Sequence, residues 1–274
     1  MPRAQANGIS MYYSDQGKGF PVLLLMGLGM DSTGWMFQTP ALAKRFRVIA
    51  PDNRGCGLTD KPKGPYSTRM MAEDAVALLD RLGVEKAHVV GDSMGGMIAQ
   101  EVALGWPRRV ERLVLACTYA RPDPLAKKIV DQGMKTLLGG VADLRTVDPS
   151  KTQIDKIAEF MLPLVLSKEF YEKNKAMVVP FMQEVLKKAS VEGFLGQVVA
   201  TQEHDAADRL PSIRAPTLVL TGTKDILVHP KNSEFIASRI PGAKLVKIEG
   251  GSHGFNFEMP ARFNQELLDF LGPS

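Results

Sequence analysis

The chain has 274 residues, of which 45% are apolar and 23% charged, and its net charge is +4. That length buries a sizeable core, either as one large α/β domain or as a core with an insertion. The charge is mild and forms no Lys/Arg run, which gives nucleic-acid binding no support, and no apolar run approaches the roughly 18 residues that span a bilayer.

The first residues (M-P-R-A-Q-A-N-G) are polar and hold no apolar signal-peptide core, so a cytoplasmic location is expected. Arg3–Ala6 and Ile9–Ser14 flank Asn7-Gly8, the preferred dipeptide of a type I′ turn, and predict an opening β-hairpin. Pro21–Met26 is apolar throughout, as in strands buried on both faces of a parallel sheet, and Gly27-Leu28-Gly29 breaks it. Trp35–Phe46 has helical spacing, with Pro40 near a turn or a helix start, and Phe46–Ala50 reads as a short strand ended by Pro51. In the following loop, P-D-N-R-G-C-G-L-T-D, Asp52 and Arg54 are placed to pair. Tyr66–Leu82 reads as a helix closed by Gly83. Ala87–Val90 is a strand, Met97–Leu104 a helix stopped by Gly105-Trp106-Pro107, and Val110–Ala116 a further strand. Strands alternating with helices predict a doubly wound, mostly parallel sheet.

Between Pro122 and Arg209 the alternation stops. Helical segments are expected at Leu125–Leu138, Ile154–Leu166, Phe170–Ala189 and Glu192–Thr201, with methionines at 134, 161, 177 and 182 that either fill core gaps or line a pocket. Phe160, Pro163, Pro180, Phe181 and Trp35 are further pocket candidates, with burial in the core as the alternative. The chain is therefore divided into a core, 1–120 and 210–274, and a helical cap, 121–209. Alternation resumes with a strand at Pro216–Thr221, a helix at Asn232–Ile240, a strand at Lys244–Ile248 and a closing helix at Ala261–Leu271. Cys56 and Cys117 suggest buried free thiols rather than a disulfide framework, and no metal or nucleotide motif occurs, so no cofactor is expected.

The chemistry concentrates in V-V-G-D-S-M-G-G-M-I-A-Q, residues 89–100. A strand, a tight turn and a helix meet there, and glycines stand two residues either side of Ser93, the G-x-S-x-G pattern of a nucleophile elbow. A β-carbon at either glycine would collide with neighbouring backbone. A second match, Gly250-Gly251-Ser252-His253-Gly254, lacks the helix directly after it, so Ser252 reads as a loop residue. A serine needs a base, most often a histidine oriented by a carboxylate. Of the four histidines, His88 precedes a buried strand, His204 ends the helical insertion, and His229 precedes Pro230. His253 alone follows a strand in a Gly-rich loop, where functional side chains of a doubly wound sheet gather. Asp225 follows the strand Pro216–Thr221 through Gly222-Thr223-Lys224 and is the expected acid. Asp205 and Asp208 lie before that strand, and Glu249 is too near His253 in sequence. Backbone N–H groups of Met94 and Leu28 are the expected oxyanion donors.

Together G-D-S-M-G-G, D-N-R-G-C-G-L-T-D, the G-T-K-D turn and the G-G-S-H loop resemble the α/β-hydrolase superfamily, and within it the carboxylesterase and 3-oxoadipate enol-lactonase-like group, which includes methylesterases. The resemblance covers nearly the whole chain outside the insertion. It implies an eight-stranded sheet, a cap after the sixth strand, a Ser93, Asp225, His253 triad and no cofactor. Met26 departs from it, since many relatives carry His-Gly where this chain has Met26-Gly27. Thr59 stands where relatives usually have Ser. The expected activity is a serine hydrolase that cleaves a carboxylic ester or lactone of an apolar small molecule through an acyl-enzyme. The alternatives are a C–C bond hydrolase or perhydrolase on the same triad, or a ligand-binding module with residual turnover. The oligomeric state, a homodimer among the options, is not written in the sequence.

Overall fold

The computed structural model describes residues 2–122, 124, 127–128 and 154–272. Eight strands form one sheet: β1 (Arg3–Ala6), β2 (Ile9–Gln16), β3 (Pro21–Leu25), β4 (Arg47–Pro51), β5 (Ala87–Asp92), β6 (Val110–Ala116), β7 (Thr217–Gly222) and β8 (Lys244–Ile248). Their order is β1-β2-β4-β3-β5-β6-β7-β8. β2 runs antiparallel to β1 and β4, and all other pairs are parallel. The sheet is thus the mostly parallel, eight-stranded one that the resemblance implies. The opening hairpin turns on Asn7 and Gly8 with φ of 47° and 78°, both positive as a type I′ turn requires.

The apolar strand runs are explained by burial on two faces. Leu23, Leu25, Val89, Leu113, Leu115 and Val219 face one side, under α2 (Thr68–Arg81) and α3 (Met94–Gly105). Val22, Leu24, Val48, Val90, Val114 and Leu220 face the other, under Trp35 and the closing helix. α2 starts on Ser67, whose side chain accepts from the Met70 N–H, and ends before Gly83 at φ 65°.

Three local expectations differ from what is found. Trp35–Phe46 is not one helix but a 3₁₀ turn, Ser32–Trp35, and a four-residue helix α1, Thr39–Leu42. Pro40 has no N–H to give, so it starts a helix rather than continuing one. Helix α3 begins at Met94, not Met97, because the glycines after Ser93 are helical. Asp52 does not pair with Arg54. Both its oxygens accept backbone N–H groups, from Ser32 at 2.7 Å and Leu58 at 2.8 Å. Arg54 turns instead to buried Asp74, with its Nε 2.6 Å from Oδ2, and Asn7 donates to the same carboxylate at 2.8 Å.

Between β6 and β7 the described residues are helical: α4 (Ile154–Val165), α5 (Lys168–Lys187) and α6 (Val191–Gln202). The expected segment 125–138, with Met134, falls almost wholly outside the described residues. α4–α6 touch the loops after β3, β4, β6 and β8, which all leave the same edge of the sheet. Val165 accepts from Gly254, Tyr119 donates to Thr201, and Lys188 pairs with Asp31. After β7 come α7 (Lys231–Arg239), then α8 (Phe255–Glu258) directly behind the His253 loop, and α9 (Pro260–Leu271). Among the described residues no helix is long and apolar enough to cross a membrane. Both cysteines are free and buried.

Asp74→Ala leaves the Arg54 guanidinium buried without its partner, which costs about 3–5 kcal/mol. A urea titration should show that loss, and Arg54→Leu together with Asp74→Leu should recover part of it. Equal midpoints for Asp74→Ala and the parent protein would contradict this account.

Candidate active site

β5 ends at Asp92 and α3 starts at Met94, so Ser93 alone makes the turn, with φ 55° and ψ −118°. A non-glycine residue in that region carries about 1–3 kcal/mol of strain, which its surroundings must hold. The Ser93 N–H donates to Ala116 at 2.9 Å, and its carbonyl accepts from Gly96 at 2.9 Å and Met97 at 3.3 Å. The flanking glycines are set by contact. A Cβ at Gly91 would lie 2.2 Å from the Gly95 oxygen, and one at Gly95 would lie 1.9 Å from the Leu25 oxygen. Helix α3 can therefore enter hard against β3 only without side chains there. Its free N–H groups and the positive end of its dipole then lie beside Ser93.

The structure brings together all three side chains expected at the site. His253 Nε2 is 3.0 Å from Ser93 Oγ, and His253 Nδ1 is 2.8 Å from Asp225 Oδ2. The other Asp225 oxygen accepts from the N–H groups of Leu227 at 2.9 Å and Val228 at 2.8 Å. These bonds fix the carboxylate from both sides. A neutral imidazole that donates from Nδ1 to Asp225 presents its Nε2 lone pair to the serine hydroxyl. Burial disfavours a charged His253, yet the charge and hydrogen bond of Asp225 outweigh it, with Asp92 adding, and hold the imidazole above its ordinary range.

The other histidines are elsewhere. His88 packs against Phe20 and Phe46, and burial lowers it to about 4. His204 is buried against Thr68 Oγ1 at 2.9 Å and is lowered to about 4 by the same cause. His229 is exposed. Ser252 donates to the Val165 carbonyl at 3.0 Å, a loop tie rather than a nucleophile's geometry.

Leu28 lines the cavity and Met94 opens α3. Among the described residues neither backbone N–H has a protein acceptor. Residues that sequence reasoning missed hold this loop. Gln197, fully buried on α6, accepts from the Gly29 N–H at 2.8 Å and donates to the Arg54 carbonyl at 2.8 Å. Asn53 donates to the Met26 carbonyl at 2.9 Å. α6 comes this close because Gly193 meets Gly55 backbone to backbone, where a Cβ on Gly193 would lie 2.3 Å from the Gly55 oxygen. The only sequence signal for Gln197 is a polar residue amid an apolar helix. Met26, the departure from the family pattern, is buried with its sulfur against Gly34.

Ser93 and His253 open on a cavity of about 170 Å³. That is roughly the space of a benzene-sized group. Met161, Met182 and Phe181 line it, as do Met26, Met97 and Phe194. Trp35 does not, being fully buried against Phe263. Phe160, Pro163 and Pro180 are not in its wall, and Met177 is exposed.

The profile of the family described as "alpha/beta hydrolase fold" matches residues 21–260. A protein of Azorhizobium caulinodans named "Putative carbamate hydrolase RutD" is 34% identical over 278 residues, covering 99% of this chain and 98% of its own. The enol-lactonase from Burkholderia xenovorans LB400 superposes with a TM-score of 0.87 at 29% identity, over 98% of this chain and 99% of that one. A thermophilic esterase from Thermogutta terrifontis, crystallised with malate bound, has a TM-score of 0.84 at 31% identity, over 99% and 98% of the two chains.

Gln197→Ala strands the buried Gly29 N–H and Arg54 carbonyl, at about 1–3 kcal/mol for each group left unpaired. The midpoint of thermal unfolding should fall accordingly, and Gln197→Glu, which keeps the acceptor for Gly29 but sets a buried carboxylate oxygen against the Arg54 carbonyl, should fall at least as far. A midpoint unmoved in Gln197→Ala would mean that the two bonds hold nothing.

Proposed function

The chain belongs to the α/β-hydrolase fold family, and on that premise we propose that it is a serine hydrolase cleaving a carboxylic ester or lactone of a small apolar molecule. In this reading residues 121–209 form a cap over a core of 1–120 and 210–274, and the cavity between them takes the substrate. The observation that carries it is the unbroken hydrogen-bonded line from Ser93 through His253 to Asp225. An alcohol is a poor nucleophile until a positioned base removes its proton, and this line supplies that base in the required tautomer.

Ser93 Oγ attacks the substrate carbonyl while His253 Nε2 takes the hydroxyl proton. Asp225 orients the ring and stabilises the imidazolium. The N–H groups of Leu28 and Met94 receive the oxyanion, and each such donor is worth about 10²–10³ in rate. The imidazolium then protonates the departing alkoxide, leaving an acyl-enzyme. Water enters and attacks the acyl carbon while His253 takes its proton, and the imidazolium returns that proton to Ser93 Oγ as the acyl–oxygen bond breaks. No step calls for a cofactor.

The names of similar proteins span carbamate, enol-lactone and ester chemistry. The methionine- and phenylalanine-rich wall supports an acyl chain over a carbamate, whose N–H groups need acceptors. C–C bond hydrolysis or perhydrolysis would use the same three residues, and a panel of p-nitrophenyl esters, lactones and β-diketones separates them. A purely binding role is disfavoured by a triad already in hydrogen-bonding register.

Ser93→Ala should lower ester turnover about 10³-fold or more without changing the unfolding midpoint. A fluorophosphonate should add to the intact protein once, on the peptide carrying Ser93. Because the base must be neutral, kcat/KM should fall as pH drops through the raised range of His253. Turnover that survives Ser93→Ala would end this reading.

A further inference from the structure

One carboxylate in the cavity wall has no part in the steps above. Asp92 immediately precedes Ser93, is 5% exposed and lines the same cavity as Ser93 and His253. A Cβ on Gly27 would lie 3.5 Å from Asp92 Oδ2 and 3.2 Å from Ser93 Cβ, so the carboxyl group and the serine lie side by side against the loop after β3. Among the described residues its one hydrogen-bond partner is the Cys117 thiol, 3.2 Å from Oδ1. Cys117 is itself held at φ 41°, with its N–H donating to Leu220 at 2.9 Å. Asp225, by contrast, receives two backbone N–H groups and an imidazole. A buried carboxylate with a single weak thiol donor is poorly satisfied and needs a cation nearby.

We propose that Asp92 is a positioning residue that shares with Asp225 the stabilisation of the His253 imidazolium, and that the Cys117 thiol keeps it ready to do so. This rests on the serine-hydrolase reading. At pH above the raised range of His253 the imidazolium forms only as Ser93 gives up its proton, so there the Asp92 charge has its cation chiefly in the transition state. An interaction that strengthens there raises kcat and not binding. The ionisable groups that act on Asp92 are His253 from the loop after β8, Asp225 from the loop after β7, and Cys117 at the end of β6, of which Cys117 is in hydrogen-bonding contact. Burial pushes its carboxyl up to about 6, against the pull of His253 and the thiol, with Asp225 adding to the rise. Cys117 is buried and its thiol is held well above the ordinary range, so it stays a donor.

The test is the pH profile of kcat and kcat/KM for p-nitrophenyl butyrate hydrolysis in Asp92→Asn, Cys117→Ala and Ser93→Ala. Asp92→Asn keeps the shape and the acceptor for Cys117 but removes the charge. Its kcat should fall roughly tenfold with KM unchanged, and its acid limb should move to lower pH, because His253 has lost a neighbouring anion. Cys117→Ala should move the limb the same way but less far, since Asp92 then keeps its proton to higher pH and His253 feels its charge only above that point. Mere loosening of the fold would not move both limbs to lower pH in that order, the larger shift in Asp92→Asn and the smaller in Cys117→Ala. An Asp92→Asn profile that coincides with the parent's, or a kcat that rises, overturns the proposal. Should Asp92→Asn fail to fold, an unmoved limb in Cys117→Ala overturns it alone. If Ser93→Ala keeps its turnover, the triad reading falls as well. If Ser93→Ala is inactive and only the limbs fail to move, the Asp92 role alone is wrong.

Discussion

The site depends on how closely the first turn of α3 can approach the end of β3. With side chains at 91 and 95 the backbones would overlap, since a Cβ at Gly95 would sit 1.9 Å from the Leu25 oxygen. Their absence lets a helix start one residue after a strand stops, and Ser93 absorbs the whole change of direction at φ 55°. The strained residue is the one whose side chain is thereby lifted off the sheet. The same approach sets the helix N-terminus, with its unpaired N–H groups, next to the loop that carries Leu28. One packing contact thus fixes the direction of the hydroxyl and the position of the donors.

Around that contact the chain distributes charge unevenly. Asp225 is satisfied on all sides and serves as a fixed anion for His253. Asp92, one residue from the serine, is not. Burial raises the carboxyl of Asp92, whereas on His253 the paired anions reverse its effect.

Much of this was legible in the sequence because it is local. The residues at 91, 93 and 95 sit between a strand and a helix within a few positions, and Asp225 and His253 each follow a strand through a short glycine-containing loop. What the sequence reading missed lies between distant segments. Gln197 acts on Gly29 from 168 residues away, and Arg54 chooses Asp74 over the nearer Asp52 because backbone N–H groups already occupy Asp52. No periodicity encodes such choices. The Trp35–Phe46 segment shows the opposite failure, a helical spacing that Pro40 and a 3₁₀ turn broke into pieces.

The backbone contact between Gly193 and Gly55 has a mechanical consequence. The helix it seats carries Phe194, whose ring lies against Gly29 and forms part of the cavity wall, and Gln197, which grips the same loop one turn later. Room in the cavity and the position of the loop after β3 are therefore governed by a single strut. The size of the chamber and the set of the loop that carries Leu28 are geared together in this protein, and widening the one at Phe194 also shifts the other.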